Sequence, residues 1–172
     1  MPVLTGLPPI ENPQARTLIL GSMPGGMSLK LGRYYAHPQN RFWRFMGLLV
    51  GAEPSLPYER RIEIMREAGV ALWDVLAECE REGSLDSTIR AEAANDFGSF
   101  LQTHPQIRSV LFNGAKAEQS FRRYALPQLE PDTLELRRLP STSPANASQD
   151  ETAKLDAWRS AFRYAGVRLI SA

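Results

Sequence analysis

Apolar residues fall in short unbroken runs, and between them they recur at helical spacing. Thr17-Leu-Ile-Leu-Gly21 is apolar without alternation, which suits a strand covered on both faces. Phe42, Phe45, Met46 and Leu49 then stand at i, i+3, i+4 and i+7. That is one face of a helix, which the pattern opens at Asn40 as a candidate N-cap and closes at Gly51. Tyr58 to Ala68 predicts another helix, with Ile62 and Met65 inward and Gly69 as its stop. Val70 to Leu76 reads as a short strand or a strand-to-helix turn, and Glu78 to Arg90 as a polar loop around Gly83-Ser84-Leu85-Asp86. Asp96 to Gln102 predicts a short helix with Phe97, Phe100 and Leu101 inward. Ser109-Val-Leu-Phe-Asn113 is a second buried strand, followed by a helix from Ala115 to Tyr124 that presents Ala117, Phe121 and Tyr124. Leu134 to Leu139 reads as a third strand. A last helix, from near Glu151 to Tyr164, carries Leu155, Trp158 and Phe162, and Val167 to Ile170 follows as a weak strand or an extended tail.

Strands alternating with helices predict an α/β fold: a three-layer α/β/α sandwich around a mostly parallel four-stranded sheet. In an open parallel sheet the carboxyl ends of the strands share one rim, and ligands bind there. Three segments lie just past such ends: Gly21 to Asn40, Asn113-Gly114, and Pro140 to Asn146. They are therefore predicted to meet in space.

The 172 residues predict one domain, 1–172, without internal repeat or linker. A formal net charge of +1 excludes a global basic field but leaves room for a small local nucleic-acid footprint. Cys79, the only cysteine, excludes an internal disulfide framework and a cysteine-ligated iron–sulfur cluster. Met1 to Asn12 lacks the basic flank and apolar run of a signal peptide, and no apolar stretch approaches the roughly 20 residues that span a bilayer. The expectation is a soluble, cytoplasmic protein with no membrane partner, monomeric by default. His37 and His104 have no carboxylates at ligand spacing, so neither a metal nor another cofactor is expected, and His37 reads as a satisfied polar residue. No Ser/His/Asp arrangement is readable, and the carboxylates of Glu59–Glu67 and Glu78–Glu82 read as solvated faces.

The three rim segments carry the remaining chemistry. Gly21-Ser22-Met23-Pro24-Gly25-Gly26 lets backbone approach a ligand and adds the Ser22 hydroxyl. It is no Walker loop, because no Gly-Lys-Ser/Thr follows. It is no dinucleotide fingerprint either, since Pro24 interrupts it and no helix is expected at the last glycine; an ordinary strand-ending turn is the alternative. In Tyr34-Tyr35-Ala36-His37-Pro38-Gln39-Asn40 an aromatic could stack on a planar ring, and the Asn40 amide could orient a water or cap a helix. Asn113 closes a buried strand, where an amide is costly unless paired; it suits a nucleobase edge or a helix cap. Gly114 and Lys116 suggest a cradle of backbone amide and cation. Ser141-Thr-Ser-Pro-Ala-Asn146 offers hydroxyls and amides that suit phosphate oxygens, or a plain turn. Lys30, Arg33, Arg41 and Arg44 gather positive charge near the first segment, as Arg137 and Arg138 do near the third.

Taken together these blocks resemble the uracil-DNA glycosylase superfamily. Gly-Ser-Met-Pro-Gly followed by Tyr-Tyr-Ala-His-Pro-Gln-Asn-Arg-Phe-Trp resembles its first motif and stacking loop. Leu139-Pro-Ser-Thr-Ser-Pro144 resembles the second motif, and Phe112-Asn-Gly114 with Lys116 the central base-reading strand. Many members carry an Asp or Asn in the first motif to activate water; here Ser22 stands there, which cannot act as a carboxylate base. That departure, with the Gly-Ser-Leu-Asp segment, is similar to the hypoxanthine (deoxyinosine) DNA glycosylase branch. The resemblance implies a monofunctional DNA glycosylase of base excision repair, with DNA containing deaminated bases as its partner. It assigns water activation to Asn40, base binding to Ser22, Met23, Pro24, Tyr35 and Asn113, and DNA contacts to Lys30, Arg33, Lys116, Ser141, Thr142, Ser143 and Asn146. A uracil-specific or broad deaminated-base enzyme, or a non-catalytic nucleotide-binding module, are the alternatives.

Overall fold

The computed structural model describes residues 3–130, 132–145 and 150–170. In chain order the elements are β1 (Val3–Thr5), β2 (Thr17–Gly21), α1 (Gly26–Leu31), α2 (Phe42–Val50), α3 (Tyr58–Glu67), β3 (Val70–Asp74) and β4 (Leu76–Glu80). They continue with β5 (Arg90–Ala94), α4 (Phe97–Thr103), β6 (Ser109–Asn113), α5 (Ala115–Ser120), β7 (Glu135–Leu139) and α6 (Glu151–Ala165). Strands β3-β2-β6-β7 form a four-stranded sheet in which every pairing is parallel.

Alternation along these buried strands splits the core into two layers. Ile19, Leu72 and Leu111 face α2, α3 and α6, packing with Phe42, Phe45, Met65, Trp158 and Phe162. Leu18, Leu20, Val110 and Phe112 face the other way, onto Phe97, Phe100, Ala117 and Phe121. The expected helices are present. The one predicted to open at Asn40 begins two residues later, at Phe42. That predicted for 115–124 relaxes after Ser120 into a π turn, Phe121–Ala125. Val167 to Ile170 forms no strand; the Ile170 N–H donates to the Leu49 carbonyl, laying the tail against the end of α2. Among the described residues no helix is long and apolar enough to cross a membrane.

Two features depart from the sequence pattern. The stretch read as polar loop contributes to a second, antiparallel sheet, β1-β4-β5. Its strands are short and half-exposed, β5 is the strand-poor Arg-Ala-Glu-Ala-Ala, and its pairing with β4 is interrupted by register shifts. Local pattern cannot signal such pairing. The second departure is α1, which starts at Gly26 where no helix was expected. The Gly26 N–H donates to Ser84 Oγ at 3.0 Å, so a residue 58 positions away satisfies its first turn.

Candidate active site

Register places the site. Gly21 is paired with Asp74, and Asn113 with Leu139, so all four parallel strands end on one rim. The three predicted segments meet there, around an open cleft of about 1130 Å³ lined by Gly21 to Ser28, Tyr35, Asn40, Asn113 to Lys116 and Pro140 to Ala145.

Thr142 is the strut of this rim. Its N–H donates to Asn113 Oδ1 and its hydroxyl accepts from Asn113 Nδ2, both at 2.9 Å, while its carbonyl accepts from the Arg41 N–H at 3.1 Å. Only 1% of Thr142 is exposed, and its N–H, hydroxyl oxygen and carbonyl all serve internal partners. Asn113 keeps one N–H and one lone pair for a ligand. Gly114 turns the chain beneath, at φ 97°, with space for a β-carbon only 3.1 Å from Ser141 Cβ. Ser141 and Ser143 use their hydroxyl oxygens to accept from the Ser143 and Ala145 N–H groups. Their O–H donors thus remain available to the cleft. Asn146 lies outside the described residues.

Asn40 stands across the cleft. Its Oδ1 accepts from the Phe42 N–H at 2.9 Å, tightening the start of α2, although Arg41 rather than Asn40 occupies the N-cap position. The capping oxygen is therefore spoken for, and the amide N–H groups are what Asn40 offers a ligand or water. Tyr34 and Tyr35 separate into two jobs. Tyr34 is buried, donating to the Pro8 carbonyl and accepting at its own carbonyl from Trp43 Nε1. Tyr35 lines the cleft with φ 54°, a strained value for a bulky residue, and one ring face stacked on Phe42 at 4.0 Å. Its hydroxyl is buried without a hydrogen-bond partner; burial first, and then Asp74, push its ionisation upward.

The first loop is held from the antiparallel sheet. Ser22 donates to Asp86 Oδ1 at 2.7 Å. Buried Arg81 donates to the carbonyls of Pro24 at 2.6 Å, Gly83 at 3.0 Å and Met23 at 3.5 Å. Met23 and Pro24 are themselves buried, so they shape the wall more than they meet a ligand. Arg81→Met should leave these carbonyls without donors and cost about 2–3 kcal/mol in urea unfolding. Arg81→Lys should recover only part, because an ammonium cannot fork to all three.

The expected cations are spread more widely. Lys116 and Arg138 reach the cleft, Lys116 paired with Glu92 at 2.9 Å and Arg138 with Glu118 at 3.5 Å. Lys30 and Arg33 are exposed and do not line the cleft; Arg33 sits over the Tyr58 ring. Arg44 pairs with Glu151, and Arg137 stacks on Tyr164. His37 is exposed, its Nδ1 accepting from the Gln39 N–H.

Sequence reading missed the cleft's acids, Asp74 and Asp86. Asp74 closes the buried run Val-Ala-Leu-Trp-Asp, the same signal that drew attention to Asn113. It is 4% exposed, and its Oδ2 has no partner. Burial first, then the neighbouring Asp86 charge, push its carboxyl up to about 7 against the pull of Arg81. The folded-state value thus lies above that of the unfolded chain. Stability is unaffected below about pH 4, falls through the interval to pH 7, and stays reduced above it. Asp74→Asn should therefore stabilise the protein by about 1–2 kcal/mol at pH 8 and by much less at pH 4, measured by thermal melting.

Loops from a parallel sheet's carboxyl rim bring an amide, a stacked aromatic and a serine turn around one cleft, the arrangement of an α/β protein's ligand site. Residues 8–164 match the family model of the Uracil DNA glycosylase superfamily, and the chain belongs to that superfamily. A hypoxanthine DNA glycosylase of Methanosarcina barkeri is 36% identical over 159 residues, spanning 92% of this chain and 97% of its own. Its namesake from Methanosarcina acetivorans is 34% identical over 160 residues, spanning 92% and 98%. A solution NMR structure from Methanosarcina acetivorans, described as a candidate uracil DNA glycosylase, superposes with a TM-score of 0.79 at 33% identity, covering 95% of this chain and 99% of that one.

Proposed function

We propose that this chain is a monofunctional DNA glycosylase that removes hypoxanthine from deoxyinosine in base excision repair, acting as a monomeric single domain in the cytoplasm on nucleoid DNA. The observation that carries the reading is the meeting of the Asn40 amide, the Tyr35 ring and the Ser141–Ser143 turn around one cleft, in a chain whose near full-length relatives bear that name.

The damaged nucleotide is extruded from the duplex, at a cost of a few kcal/mol that a mispaired base lowers. Its base lies against Tyr35, which Phe42 backs. The free N–H and lone pair of Asn113 meet the edge of the base, and Ser141 and Ser143 donate to a flanking phosphate. Lys116 and Arg138 add positive charge at the rim. The Asn40 amide orients the attacking water toward C1′ of an oxocarbenium-like transition state. An amide is no base, so rate comes from positioning and from hydrogen bonds to the leaving group. Schiff-base chemistry needs a free amine, and Lys116 in the cleft is ion-paired with Glu92.

The test is alkaline strand scission of duplexes carrying deoxyinosine, deoxyuridine or deoxyxanthosine in turn. Preferential cleavage at deoxyinosine is expected. Cleavage confined to deoxyuridine would move the assignment to a uracil enzyme. Tight binding without cleavage would make the chain a non-catalytic module.

A further inference from the structure

The floor of the cleft holds two buried oxygens, Asp74 Oδ2 and Tyr35 Oη, that make no well-formed hydrogen bond, although the Asn113 amide lies near enough to Tyr35 to offset part of its upward shift. Asp74 and Gly21 end adjacent strands and are paired in register. A β-carbon on Gly21 would lie 2.5 Å from Asp74 Oδ1 and 3.2 Å from Tyr35 Oη, so the carboxyl and the phenol crowd the same side of that glycine. Both residues line the cleft, and both Asp74 Oδ2 and Tyr35 Oη lack a hydrogen-bond partner. A buried carboxylate normally gathers donors or a cation. Here Tyr35 Oη, the one uncommitted hydroxyl beside it, makes no hydrogen bond to it, and other nearby donors are committed elsewhere. Arg81 gives its N–H groups to the carbonyls of Met23, Pro24 and Gly83, Ser22 gives its hydroxyl to Asp86, and Asn95 Nδ2 donates to the backbone carbonyl of Asp74 rather than to its side chain.

The groups whose charge reaches Asp74 have opposing effects. Asp86, from the turn after β4, repels its negative charge, and Arg81, from the end of β4, attracts it. Tyr34 and Tyr35, from the loop before α2, are themselves pushed toward the neutral phenol by it. With burial added, the balance favours the neutral acid, whose carboxyl is raised to about 7. A neutral carboxyl is a donor, and a departing purine that carries negative charge needs one.

We propose that Asp74 acts in its protonated form, as the acid that delivers a proton to a ring nitrogen of the departing purine while the glycosidic bond breaks. The bonding pair of C1′–N9 leaves with the purine, and the Asp74 proton neutralises it. Water adds to C1′ and releases its own proton to solvent, and the carboxylate recovers a proton from solvent through the cleft. The inference rests on the deoxyinosine reading above and extends it: Asn40 serves the incoming water, Asp74 the outgoing base.

Single-turnover cleavage of a deoxyinosine duplex, followed against pH, separates the alternatives. The wild-type rate should be level below about pH 7 and fall tenfold per unit above it; Asp74→Asn should be roughly 10²-fold slower at pH 6, with that limb gone. The infrared carboxylic-acid C=O band present in wild type at pH 6 should be absent from Asp74→Asn. A rate that rises with pH through the same interval would make Asp74 a base and overturn the proposal. So would an Asp74→Asn variant of wild-type rate, or a missing acid band. A wild type that shows the acid band but is inert on deoxyinosine would sink the reading of function instead, and leave the proton without its recipient.

Discussion

Asn40→Ala is expected to slow deoxyinosine cleavage by roughly 10²–10³-fold, the usual loss when one positioned polar group is removed from a transition state. The residue also has a structural duty, because its Oδ1 accepts from the Phe42 N–H at the start of α2. Losing that bond should cost about 1 kcal/mol, a fall of about 2–4 °C in melting temperature for a domain of this size. Asn40→Ser separates the two roles. A serine hydroxyl can accept from the same N–H, so most of the stability should return, but it lacks the amide N–H groups and activity should stay low. Single-turnover kinetics and thermal melting on the same three proteins provide the check. If Asn40→Ser recovers stability and rate together, Asn40 serves only to hold the Phe42 N–H at the start of α2.

Gly21→Ala is expected to damage the site from below. Its new methyl would stand 2.5 Å from Asp74 Oδ1, inside contact distance, with Tyr35 Oη at 3.2 Å on the same side. Neither neighbour has room to retreat, since Gly21 and Asp74 are both buried strand-end residues and Tyr35 is stacked on Phe42. Overpacking of this kind costs about 2–3 kcal/mol. Displacing the floor by even 1 Å should lower the cleavage rate by roughly 10²-fold. The double variant Gly21→Ala/Asp74→Ala removes the clashing oxygen. It should recover most of the lost stability in urea unfolding, while activity should not return. Additive losses in that double variant would mean that Gly21 and Asp74 do not press on one another.

Much of this site was legible before any coordinates, because a parallel sheet collects its strand ends. Thr17-Leu-Ile-Leu-Gly21 and Ser109-Val-Leu-Phe-Asn113 announced themselves as buried strands, and the rule for such sheets brought Asn40, Asn113 and Ser141 together. What remained hidden is non-local. The β1-β4-β5 sheet is built from short, half-exposed strands whose pairing depends on partners rather than on pattern. Helix α1 looked improbable after Pro24 because its cap, Ser84, arrives from that sheet's turn. The pairing of Thr142 with Asn113, 29 residues away, was equally invisible in the sequence. Asp74 was passed over for a different reason. It lay inside the run read as Val70 to Leu76, and only the unpartnered carboxyl oxygen marks the position as unusual.

Thr142 bridges Asn113 on one side and the backbone of Arg41 on the other. The segments proposed to meet the base, to steer water and to grip the strand therefore share a common joint. Drift in any one of them is constrained by the other two. On the proposed reading, remodelling this enzyme toward another DNA lesion is a matter of transplanting all three pieces as a set, with residue 142 left in place, while Pro144 and Ala145, which are exposed, offer the freer ground for variation.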